Sequence, residues 1–149
     1  MPPDFTQERT QIPSTDPFRV PWTSAFIEDA FGVSIVLGVD NARQIFRWVP
    51  PGRFLMGSPL AEPERGGAEL LHEVTLSRGF WLADTACTQA FWQAVAGSNP
   101  SSFGDDPRNP VEQVSWDDVQ AFIVELERRL PGLPVRLPTE AELQAELAL

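Results

Sequence analysis

An α+β fold, irregular and rich in loops, is the architecture that this sequence predicts. Short β-branched or alternating apolar runs fill the stretch from Val33 to Leu82. Two amphipathic helical patterns follow them, and fifteen prolines punctuate the 149 residues. Apolar residues make up 42% and charged residues 21%, so the chain can bury one core and is not disordered throughout.

Residues 1 to about 24 hold Pro2, Pro3, Pro13, Pro17 and Pro21 among polar neighbours, the composition of a leader or extended arm. Val33 to Val39 is rich in β-branched residues and reads as a possible strand, ended by Asp40-Asn41. The organisation expected is therefore a leader with a possible first strand over 1–40, and a domain over 41–149. Ile45 to Val49 forms a second strand that Pro50-Pro51-Gly52 closes as a turn. Phe54 to Ser58 opens into an acidic loop, Pro59 to Leu71, with Gly66-Gly67 near its middle. In Glu73 to Leu76, apolar Val74 and Leu76 alternate with polar residues, as in a half-buried strand. Phe80-Trp81-Leu82 continues the sheet.

The first helix begins after Thr88, a suitable N-cap, carries Phe91, Trp92 and Val95 on one face, and stops at Gly97. Ser98 to Asn109 is turn chemistry. The second helix starts with Ser115 and Asp118 in capping-box spacing. Val119, Phe122, Ile123, Leu126 and Leu130 share one face, Arg128 and Arg129 suit the last turn, and Pro131-Gly132 ends it. Trp116 is expected to pack beneath this helix. A strand at Val135-Arg136-Leu137 then leads to Thr139 and Glu142, a second capping box for a terminal helix.

The net charge of -10 argues against nucleic acid, which needs a cationic footprint, and against an anionic membrane surface. All eleven basic residues are arginine, which points to no particular chemistry. A single cysteine, Cys87, excludes an internal disulfide. The N-terminus lacks a basic signal region, and Phe31 to Val39 is far shorter than the roughly 20 residues of a spanning helix, so a cytoplasmic location is the default expectation.

Six segments in order resemble the formylglycine-generating enzyme (sulfatase-modifying factor) family. They are Gly52 to Ser58, His72 to Leu76, Gly79 to Leu82, Asn99-Pro100-Ser101, Asn109 to Asp118, and Arg136-Leu137-Pro138-Thr139-Glu140-Ala141-Glu142. The resemblance covers residues 45 to 142. The resemblance implies an irregular C-type-lectin-like fold, present here as its N-terminal part. It also implies, in complete members, structural calcium and copper(I), with molecular oxygen oxidising a sulfatase cysteine. Two cysteines in the C-terminal half of the family domain hold the copper, a soft ion suited to linear two-sulfur coordination. No position of this chain corresponds to them, so no catalytic, cofactor-binding or metal-binding residue carries over and no cofactor is expected in this chain.

Three functions follow as expectations. The first is a formylglycine-generating oxidase acting on an unknown protein or peptide substrate, which fails here for want of the cysteines. The second is a non-catalytic C-type-lectin-like module that binds a ligand or protein. The third, ranked first for this chain alone, is a truncated product without activity of its own. It would be marginally folded, because the partners of Val119, Phe122, Ile123 and Leu126 would lie partly in the missing half.

Individual residues favour structural roles. Cys87 reads as a small buried hydrophobe, and His72, the single histidine, as support for the loop before its strand. Glu62, Glu64, Glu69, Asp105, Asp106, Asp117 and Asp118 invite a calcium site, yet none has EF-hand spacing, and solvated acid is the simpler account. Trp48, Trp81, Trp92 and Trp116 are expected in the core. Glu142 is assigned to helix capping, and the family resemblance implies that the motif holding Glu140 and Glu142 is a structural corner rather than a paired-carboxylate catalytic site.

Overall fold

The structure is a computed structural model and describes residues 22–147 except 60, 64, 65 and 68; of residues 146 and 147 it describes the backbone alone. The prolines from Pro2 to Pro21 and the acid Glu64 lie outside the described residues.

Six strands precede three helices: β1 Thr23–Asp29, β2 Gly32–Val39, β3 Ala42–Val49, β4 Gly52–Met56, β5 His72–Leu76, β6 Phe80–Ala83, α1 Gln89–Ala96, α2 Trp116–Arg129 and α3 Glu140–Leu147. An antiparallel sheet runs β1-β2-β3-β6, and β4 and β5 form a separate two-stranded ribbon. This is an α+β arrangement. Strand β2, the possible first strand that the sequence expectation set ahead of the domain, and β1, which it did not foresee, are hydrogen-bonded into the main sheet, and Leu37 and Val39 of β2 enter its core.

Side-chain alternation sorts the residues of β3 onto two faces. Ala42 and Phe46 face the helical core with Leu37, Val39, Phe91, Trp92, Val95, Phe122, Leu126 and Leu133. Val49 faces the other way, into a smaller cluster with Leu82 and Ala145, joined by Phe54, Leu76 and Phe80. One face of the sheet therefore carries α1 with α2 packed upon it, while α3 lies against β4. The turn between β2 and β3 puts Asp40 at φ 51, a left-handed conformation that aspartate tolerates better than most residues.

Arg47 ties the main sheet together on the second face. It sits on β3 opposite Ser34 of β2, and its Nη1 donates to Asp29 Oδ1 of β1 at 3.2 Å. Its arm thus crosses over β2, where Ser34 is almost fully buried. Gly79 is required where the chain passes the Trp48 ring, because a Cβ there would overlap the indole. Trp48 and Trp81 are direct cross-strand partners with centroids 5.1 Å apart, an edge contact typical of aromatic pairs.

Both expected capping boxes form. Ser115 Oγ accepts from Asp118 N at 3.2 Å, while Ser115 N donates to Asp118 Oδ2 at 2.8 Å. Thr139 and Glu142 repeat the pattern at 3.3 and 2.8 Å. The α1 cap is Thr88, and Gly97 closes the helix at φ 81.

Three expectations are corrected. Residues 135–137 form no strand. Arg136 instead reaches Glu142 with Nη1 at 2.7 Å from Oε2, so this stretch is held by an ion pair at the start of α3 rather than by a β partner. Trp116 is 67% exposed. At 100° per residue it lies roughly 100° around α2 from the midpoint of Phe122 and Leu126, on the rim of the helix rather than beneath it. Finally, Phe122 is 9% and Leu126 2% exposed, with Val119 and Ile123 packed alongside, so α1 and the sheet already cover this face.

Candidate functional site

The best-organised polar region joins α1 to the loop that follows it. Gln89 at the start of α1 is buried, and its Nε2 donates to Phe103 O at 2.9 Å and Pro110 O at 3.2 Å. Its Oε1 accepts from Asn99 Nδ2 at 2.8 Å, and Asn99 Oδ1 accepts from Ser101 N. The backbone of the loop runs beside the helix entry, with Gln89 N donating to Asn109 O and Val111 N to Cys87 O, both at 2.9 Å. A buried amide whose donor and acceptor are both satisfied fixes a loop firmly. These contacts order the segment between α1 and α2 and bring no reactive groups together.

Where α1 ends, the loop and α2 border an open groove of about 480 Å³. Trp92 and Phe122 stack beside it with centroids 4.6 Å apart and ring planes 10° apart. Val95, Pro100, Val114 and Ala121 extend the apolar lining. Asp118, Glu125 and Arg129 supply the charges. Arg128 and Arg129 hold the Glu125 carboxyl down to about 2, and hydrogen bonds from Ser115 lower that of Asp118. Arg129 is shared between Glu125 and Asp40. The last turn of α1 contains no basic residue.

The residues singled out from sequence are dispersed. Cys87 is half-buried against the main core, and burial pushes its thiol up to about 11, so it is protonated at neutral pH. His72 begins β5, with Nδ1 2.7 Å from Leu70 O, and supports the preceding loop as expected. Asp106 is held at about 2 by Arg108, Asp105 accepts from Asn109, and Glu69 accepts from Ser58 Oγ. Asp117 and Asp118 occupy the first turn of α2. Among the described residues, no group of three or more His, Cys, Asp or Glu side chains could hold a metal ion. Of the four tryptophans expected in the core, Trp92 is buried there; Trp48 and Trp81 are half-buried against each other outside both core clusters, and Trp116 is exposed.

The model of the sulfatase-modifying factor enzyme 1-like domain matches residues 40–148. The chain belongs to this family. Among solved structures, Treponema denticola variable protein 1 is similar at 26% identity with a TM-score of 0.56. The likeness covers 65% of this chain and 35% of that one, so the matched portion is about a third of that protein's length. Among curated proteins, none matches.

Copper(I) chemistry of the sulfatase-modifying factor type calls for two convergent thiolates. This chain offers one cysteine, and its thiol is protonated and partly sunk against the core. The residues present do not fit a two-sulfur copper site. The groove between α1 and α2 was not legible in the sequence of this sulfatase-modifying-factor domain. Trp92 and Phe122 are separated by a long loop, and their individual patterns announce only two apolar helix faces.

Proposed function

We propose that this chain is a non-catalytic binding module built on the sulfatase-modifying factor fold. The observation that carries this reading is Cys87: one thiol, packed on the core and raised to about 11, cannot supply the soft anionic pair that copper(I) oxidation requires. The ordered loop and the α1–α2 groove support a role borne by surface shape instead. A net charge of -10 favours a neutral or cationic partner over nucleic acid.

The test is to incubate the protein with copper(I), oxygen and a cysteine-containing peptide, and to follow aldehyde formation by mass spectrometry. Aldehyde no faster than in a protein-free control is the expected result. Turnover that depends on Cys87 would overturn the proposal.

A further inference from the structure

We propose that the groove between α1 and α2 receives a peptide segment carrying one large apolar side chain next to a cationic one. This deepens the binding-module reading and rests on it. Size and lining come first. About 480 Å³ falls within the range of small-ligand pockets and accommodates a side chain with its flanking backbone. The Trp92–Phe122 stack, Val95, Ala121 and Pro100 offer it apolar contact.

Charge then selects the neighbour of that anchor. Asp118 and Glu125 line the groove two turns apart on α2, and both carboxyls are held ionised. The C-terminus of α1 opens into the same space and carries partial negative charge that no basic residue in its last turn offsets. The opposing charge is Arg129, which two carboxylates, Glu125 and Asp40, already engage, while Arg128 is engaged by Glu125. Three carboxylates, Asp40, Glu125 and Asp118, thus meet two guanidiniums. Asp118 enters no ion pair among the described residues, so the surplus is one negative charge, carried at the groove by Asp118. An incoming anion meets repulsion there, and a cation beside an apolar anchor meets complementarity.

The experiment is an amide NMR titration of the whole chain with two capped peptides, one with leucine followed by arginines and one with leucine followed by glutamates. The expected result is saturable shifts confined to residues 92–98 and 114–129 for the basic peptide, with the acidic peptide about tenfold weaker or silent. Ala121→Trp places an indole in the groove from an exposed helical position and should abolish those shifts while spectral dispersion is retained. Asp118→Asn keeps a capping oxygen, so it should weaken the basic peptide without unfolding the helix and serves if Ala121→Trp misfolds. Equal affinity for both peptides, shifts centred elsewhere, or no saturation at millimolar peptide would overturn the proposal. None of these outcomes bears on aldehyde formation, so failure here is separable from failure of the non-catalytic reading.

Discussion

Ser115 and Trp116 are neighbours with opposite energetic weight. The serine hydroxyl satisfies an orphan amide at the start of α2, and its own backbone N–H is satisfied by Asp118. Ser115→Ala should therefore cost about 0.5–2 kcal/mol of stability. Trp116 has most of its surface in solvent, so Trp116→Ala should stay within about 0.5 kcal/mol. Denaturant midpoints of the two variants check the order, and a larger loss for Trp116→Ala would show that its ring is buried. Gly57 makes a different single-residue demand. It holds φ 97, and a Cβ there would run into the backbone carbonyl of Leu70, which neither strand end can yield cheaply. Gly57→Ala should lower the thermal midpoint more than Gly67→Ala, a position where nothing lies near the added methyl. Equal midpoints for the two variants would contradict the close packing of the β4–β5 ribbon against its loop.

The elements differ in how far the sequence determined them. Capping boxes were legible because each depends on residues three apart and on local backbone geometry alone. Exposure of Trp116 was not, since it turns on which part of the helix circumference meets α1 and the sheet, a tertiary fact. Strand β1 escaped notice because its run, Thr23 to Asp29, is mostly small or acidic and follows a proline-rich arm. Residues 135–137 looked like a strand through Val135 and Leu137, yet strands exist only by pairing, and here Arg136 pairs with Glu142 instead. The α1–α2 groove depends on the approach of two helices across a loop, which no local pattern encodes.

Element-scale predictions follow from the same contacts. Leu126→Ala removes a fully buried side chain at the α1–α2–sheet junction and should cost about 2–5 kcal/mol. Val124→Ala, on the exposed side of the same helix, should be close to neutral. Matching losses in a denaturant series would mean that the helix is rotated from the described orientation. Glu142 ties α3 to the preceding segment, and hydrogen bonds from Arg136, then from Thr139, hold its carboxyl at about 2 against an ordinary value of 4.5. The folded-state value is depressed, so the stabilisation is complete above the ordinary value and is lost as pH falls from about 4.5 toward 2. Wild type and Glu142→Gln should accordingly differ in thermal midpoint at neutral pH and converge in acid. A gap that persists unchanged at pH 2 would rule out the ion pair as its source.

At the scale of the whole molecule, the described chain buries an apolar cluster on each face of one sheet, and the α2 face expected to lack partners finds them in α1 and β2–β3. Family and fold were both legible from ordered short motifs, because those motifs specify local features that form here, the close approach at Gly79 and the caps at Ser115 and Thr139. The proposal that this fold is non-catalytic rests on the chemistry of its thiol. The most direct measurement is a copper(I) titration of the monomer against a competing chelator, run in parallel on Cys87→Ser. The account predicts no tight stoichiometric site in either protein, because one protonated, half-buried sulfur lacks a partner thiolate. A tight one-to-one complex in the wild type that Cys87→Ser abolishes would contradict it.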